Sequence, residues 1–363
     1  MPKAIRWFIK FLCVIITLVI FLFALAVGGF VYFNAPPEGK AEPLENAISL
    51  NDDDDGSLNG SLILEVKSGE TASAVGVRLE NAGVIKSRYF WNLLFKLDKE
   101  QIKTGTYRIE LPASQMEIRS ILINGDQLLV KVTVPEGVTL KKIARILEDA
   151  QIANAEAFLK AAASREILDT YNIPGASMEG YLYPDTYFFP LNYPAAKIVA
   201  TMADTFFKRL EEIAPEAFGP QAISAEELNT RVIIASIVER EYRIAEEAPL
   251  MAGVFFNRQK IGMALQSCAT VVYVITEVLE RPHPEVLYSR DLEIKNPYNT
   301  YLRAGLPPGP ISAPGKTALR AAFTPASSNY LYFRLVDAGA GEHYFSMTLD
   351  DHIRAGTFFI KGR

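Results

Sequence analysis

Residues Phe11 to Phe33 form 23 consecutive positions without a charged side chain. A helical run of that length spans the hydrocarbon layer of a bilayer with some tilt, so it fixes the topology before any other feature does. Lys3, Arg6 and Lys10 precede it; Glu38, Lys40, Glu42, Glu45 and the run Asp52 to Asp55 follow. Positive charge on the N-terminal side predicts a single-pass, N-inside anchor in the cytoplasmic (inner) membrane, with the rest of the chain outside the cytoplasm. Ala24-Leu25-Ala26 resembles a cleavage site, but it lies within an unbroken apolar run too long for the core of a cleaved signal peptide. An uncleaved anchor is the expectation.

The remainder is long enough for two domains, and nearly half of the 363 residues are apolar. A formal net charge of −5 argues against nucleic acid as the main partner. Cys13 lies in the anchor and Cys268 outside it, so no disulfide between them is expected. The three histidines lack metal-ligand spacing, and neither a metal nor a cofactor is expected.

The chain divides into a cytoplasmic N-terminus (1–10), the membrane helix (11–33), a linker (34–60) rich in Pro, Gly and Asp, a repeat region (61–177) and a C-terminal domain (178–363). The repeat is explicit. Val66, Gly69, Thr71, Val75, Leu79, Glu80, Ala82 and Val84 recur 68 residues later as Val134, Gly137, Thr139, Ile143, Leu147, Glu148, Ala150 and Ile152, and Phe90 recurs as Phe158. Each copy reads as a strand, a Gly-containing turn, a helix capped by threonine and a second helical stretch. Thr106-Tyr107 and Thr186-Tyr187 echo each other near the ends of the copies. Such a unit resembles a LysM module, which binds N-acetylglucosamine polymers; a plain spacer between membrane and catalytic domain is the alternative.

In Arg231 to Gln266 the residues Ile233, Ile234, Ile237, Val238 and Glu241 fall at helical spacing, so an apolar stripe runs into a carboxylate. Glu239 is predicted on the opposite, solvent-facing side. A carboxyl among apolar groups resists ionisation, which suits a general acid, and Glu241 is the candidate catalytic residue. Further candidates for substrate contact are Glu179 and Asp185 in a tyrosine-rich stretch, Glu239, Gln266, Tyr273, Tyr298, Asn299, Thr300, Tyr301 and His343. A structural role is an equal alternative for each. A rival chemistry would use Cys268 as nucleophile and His343 as base.

The ordered motifs ASIVERE, AGVFFNR, GMALQS followed by TVVY, NPYNTY, GLPPGPI, AAFTPA, YLYF and HYFS, with GTYR and EGYLYPDTY before them, resemble those of the endolytic murein transglycosylases (the MltG, YceG-like family). The resemblance covers nearly the whole chain. It implies an α+β architecture: a transmembrane helix, LysM-like strand–helix–helix modules and a mixed α/β lytic transglycosylase domain. It further implies cleavage of the MurNAc-β-1,4-GlcNAc bond of peptidoglycan glycan strands with formation of 1,6-anhydro-MurNAc ends. It points to termination of nascent strands, and to peptidoglycan synthases as partners. A non-catalytic glycan-binding scaffold of the elongation or division machinery is the alternative. The resemblance favours Glu241 over Glu239. The chain departs from the commoner pattern at Tyr242, where Thr or Ser is frequent, and at Cys268-Ala269, where Asp-Pro is frequent.

Overall fold

The computed structural model describes residues 3–37, 60–218, 222–337 and 339–361; most of the expected linker, including the Asp52 to Asp55 run, lies outside them. Two compact units divide between Leu129 and Val130. The first opens with α1 (Lys3–Asn34), the one helix among the described residues long and apolar enough to cross a membrane. It continues with β1 (Gly60–Val66), α2 (Ala72–Asn81), α3 (Arg88–Asp98), β2 (Gly105–Leu111) and α4 (Gln115–Asn124). β1 and β2 pair antiparallel from Gly60 opposite Leu111 to Val66 opposite Gly105. Beneath them Trp91 is fully buried, and its Nε1–H donates to Ala72 O at 2.7 Å. A Cβ at position 76 would come within 2.4 Å of the indole, so glycine is what lets α2 approach it.

The second unit comprises most of β3 (Leu129–Thr133), then α5 (Leu140–Asp149), α6 (Ala155–Ala162), α7 (Arg165–Thr170), β4 (Thr186–Pro190) and α8 (Ala195–Ile213). After these come α9 (Ala225–Val238), α10 (Ala248–Lys260), α11 (Cys268–Tyr273), α12 (Lys316–Phe323), β5 (Tyr332–Asp337), β6 (Glu342–Ser346) and α13 (Leu349–Lys361). β3 pairs with β4, and β5 pairs antiparallel with β6. The second repeat copy thus belongs to this unit, and the expected boundary at 177/178 falls within it.

The repeat is reproduced atom for atom at its turns. Thr71 accepts from Ala74 N–H at 3.2 Å and Thr139 from Lys142 N–H at 3.3 Å. Both helices stop on an alanine, Ala82 or Ala150, and the chain then folds back through Val84 N–H to Leu79 O and Ile152 N–H to Leu147 O. Glu80 and Glu148 each accept the first backbone N–H of the following helix, at 3.0 Å. Each copy is a strand–helix–helix unit closed by a further paired strand.

α9 is the centre of the second unit. Val232 to Val238 are all buried, so this helix is apolar on every side and must be surrounded, as it is by α10 and α12. Buried Ser236 donates to Ile233 O (2.7 Å) and accepts from Ile311 N–H (3.0 Å), while Ser312 Oγ donates to Ser236 O (2.9 Å). The proline-rich Gly305–Ile311 segment is thereby stitched to α9, which satisfies backbone groups that burial would otherwise leave costly.

Candidate active site

α9 ends at Val238, and Glu241 lies in the turn beyond it, its N–H donating to Val238 O at 3.0 Å. The chain tightens there: Arg240 N–H reaches back only to Ile237 O, at 3.1 Å. Glu239 is still held helically, its N–H donating to Ala235 O at 2.8 Å, but the expectation that it faces solvent is corrected. Its carboxylate turns inward and accepts from Gly315 N–H at 2.9 Å. Burial, with Glu136 nearby, pushes its pKa up to about 7 against the opposing hydrogen bond.

Glu241 faces a cavity of about 510 Å³. Ser267 Oγ donates a hydrogen bond to Glu241 Oε1, and Ala269 N–H lies 3.5 Å from the same oxygen. Loss of solvent raises the Glu241 pKa above the ordinary carboxyl range; the Ser267 and Ala269 hydrogen bonds, then His343 and Arg240, oppose the shift. Ser267 thus places a hydroxyl against the candidate acid.

Ser267 is held from behind. Its N–H donates to Thr300 Oγ1 (3.1 Å), which pairs with Thr270 Oγ1 (2.9 Å), and Gln266 N–H donates to Thr300 O (3.1 Å). Asn299 fixes this turn by donating to Leu292 O and Ile294 O, both at 2.9 Å, and accepting from Tyr301 N–H. Arg258 clamps the other side through the carbonyls of Leu331 (2.6 Å), Leu265 (2.7 Å) and Ala264 (3.3 Å). Gln266 itself takes a left-handed φ of 49°, a conformation that costs a non-glycine residue on the order of 1 kcal/mol and marks a tightly determined loop.

Of the sequence candidates, Glu241, Gln266, Tyr301 and His343 line the cavity. Asn299 and Thr300 are fully buried behind it and engaged with backbone. Glu179 is also buried: both its oxygens accept from Leu140 N–H at the start of α5, and Tyr273 O–H donates to it at 3.4 Å. Burial pushes its pKa up to about 8. Tyr298 packs on Tyr273 with ring centroids 4.9 Å apart. Asp185 lines a separate cavity with Arg209 and Glu212.

Sequence reasoning missed Ser267, Glu247 and the arginines. Glu247 accepts from the His343 backbone N–H (3.0 Å) and holds His343 Nδ1 at 2.7 Å. Lying just before α10, it reads in sequence as ordinary acidic helix-start chemistry. Arg240, Arg243, Arg258 and Arg334 line the cavity, and Glu241 is its one carboxylate among the described residues. Cys268 is at the rim, 3.1 Å from Tyr301 O–H. Burial raises its pKa, which is the wrong direction for a thiolate nucleophile.

The model of the YceG-like family matches residues 64–357. Proteins named endolytic murein transglycosylase are 31% identical in Bacillus subtilis, over 83% of this chain and 85% of that one, and 26% identical in Streptococcus pneumoniae, over 94% of this chain. The match spans 64% of the length of the S. pneumoniae proteins. A crystal structure of a putative yceG-like protein from Listeria monocytogenes superposes with a TM-score of 0.54 at 28% identity, covering 82% of this chain and 99% of that one. On the extent of these matches, and with its ordered loops packed around Glu241, the chain belongs to the YceG-like family.

Proposed function

We propose that this chain is a membrane-anchored endolytic lytic transglycosylase of peptidoglycan, with Glu241 as its acid and base. The observation that carries the reading is a half-buried carboxyl of raised pKa standing without a second carboxylate in its cavity, among the described residues. A glycosidase that uses water or a covalent intermediate needs two carboxyl groups facing the bond. A lyase needs one. Protonated Glu241 gives its proton to O4 of the leaving N-acetylglucosamine as the C1–O4 bond breaks. The muramyl O6 then attacks C1, and its hydroxyl proton returns to Glu241, leaving a 1,6-anhydro end and the enzyme unchanged.

Gln266, Tyr301 and His343 share the cavity with the acid and contact sugar in this reading, Glu179, Glu239, Tyr273, Tyr298, Asn299 and Thr300 support the elements around it, and Asp185 offers a further contact at its separate cavity. Arg243 and Arg334 offer positive charge to the stem-peptide carboxylates on muramic acid. The two strand–helix–helix units act as LysM-like glycan-holding modules. α1 spans the inner membrane with the N-terminus in the cytoplasm, so the cleft meets strands as synthases extend them and ends their growth. The relatives named endolytic murein transglycosylase support this reading.

The test is mass spectrometry of peptidoglycan treated with the chain from residue 34 onward, beside Glu241→Gln. Anhydro ends from the wild type alone are expected, and fewer of them from strands stripped of stem peptides. Reducing ends would mean hydrolysis. Bound glycan with no new ends from either protein would leave a binding scaffold.

A further inference from the structure

The first unit carries an apolar face that its own core does not use. α3 reads RYFWNLLFKLD, with apolar residues on both sides. Trp91, Leu94 and Phe95 point into the core. Tyr89, Leu93 and Leu97, spaced i, i+4 and i+8, share the opposite side and are 73%, 48% and 69% exposed. A helix apolar on both sides is ordinarily covered on both.

The covering material is indicated by what α3 touches. Phe90, in its first turn, packs edge-on against Phe30 at 5.5 Å and stacks near Phe33 at 6.1 Å. Phe33 closes the charge-free run, and Phe30 lies about 5 Å inside it along the helix axis. The start of α3 is therefore level with the end of the apolar span. The attachment is reinforced by Gln115 Nε2–H donating to Phe33 O (2.9 Å), Met116 N–H donating to Asn34 Oδ1 (3.0 Å) and the Lys86 ammonium lying 4.6 Å from the Tyr32 ring centre.

Basic residues flank the apolar face. Lys96 is three residues after Leu93 and is exposed, and Lys99 follows the helix end. Lysine stems lie along apolar surface while the ammonium reaches the phosphate layer, and tyrosine favours the boundary between hydrocarbon and headgroups.

From this continuity we propose that the Tyr89–Leu93–Leu97 face of α3 docks onto the outer leaflet of the same bilayer that α1 spans, with Lys86, Lys96 and Lys99 meeting lipid phosphates. This rests on the reading of α1 as a membrane helix. The consequence is that the first module is held flat on the membrane and does not swing on a tether.

The test is spin labelling of the full chain in phosphatidylethanolamine–phosphatidylglycerol nanodiscs, in a background with both native cysteines replaced. Labels at Leu93→Cys and Leu97→Cys are expected to collide with oxygen and to be shielded from a water-soluble nickel chelate, as should a label at Val19→Cys. A label at Glu110→Cys, on the exposed side of β2, should show the reverse. Nickel access at 93 and 97 with Val19→Cys still immersed would overturn the docking and leave the anchor intact. Nickel access at all three would remove the anchor itself. Shielding of 93 and 97 from both reagents would mean that protein, not lipid, covers the face, which also overturns the proposal.

Discussion

Two opposed influences meet at the Glu241 carboxyl. Desolvation raises its pKa, while Ser267, Ala269, His343 and Arg240 pull it down, with burial the larger. A group that must give a proton and then retrieve it is served by such a balance, because an ideal proton carrier titrates near the working pH. Ser267→Ala removes the first of the opposing contacts. The carboxyl should then ionise at higher pH, so the loss of activity on raising pH moves to higher pH than in the wild type. Turnover should fall about tenfold, since the hydroxyl also aims the carboxyl. A pH–rate profile on soluble glycan checks both; an unmoved alkaline limb would mean that Ser267 only packs. An apolar stripe running into Glu-x-Glu made a carboxyl beside the α9 core legible; that Glu239 also turns inward, to Gly315, was not. The Ser267 contact was not, because it joins positions 26 residues apart across a loop whose path depends on buried Asn299 and Thr300.

Among the elements, helix starts were the most legible, because a cap is a local contact. Thr71 and Thr139 cap as their spacing predicts. The end of α9 was not legible: the chain tightens after Glu239 without a glycine or proline to mark it, and the Glu239 carboxylate meets the Gly315 N–H from 76 residues away. Glu179 shows the same limit at the start of α5. Its carboxyl accepts the Leu140 N–H from 39 residues away, and its burial has a consequence for stability. Folded, it keeps its proton up to about pH 8; unfolded, it releases it near the ordinary value of 4.5. Between those values the unfolded state binds fewer protons, so this group makes stability fall as pH rises, by up to about 1.4 kcal/mol per pH unit. Glu179→Gln keeps an acceptor for Leu140 and cannot ionise. Denaturant unfolding at pH 5 and pH 8 should show a smaller decline for the variant; equal declines would place the titration elsewhere.

At the scale of the whole molecule, the chain builds two separate cores. One gathers Leu64, Val75, Leu79, Trp91, Tyr107 and Ile118; the other gathers the α9 residues with those of α5, α8, α10 and α12. The sequence repeat hides this division, because its two copies look like neighbours in one region while the second copy contributes Ile143, Leu147 and Phe158 to the core beneath Glu241. Strand pairing decides membership: β3 pairs with β4, which leads into α8, so copy two is tied forward to the half that holds Glu241. Separate cores predict separate unfolding. Calorimetry of the chain from residue 34 onward should resolve two transitions. Trp91→Ala should lower one of them by the equivalent of about 3–5 kcal/mol, the usual cost of emptying a large aromatic site. Ser236→Ala, which strands the buried Ile311 N–H, should lower the other by about 1–3 kcal/mol. If either substitution moved both transitions together, the two units would unfold as one cooperative body, and the first module would be part of the scaffold that holds Glu241 in place.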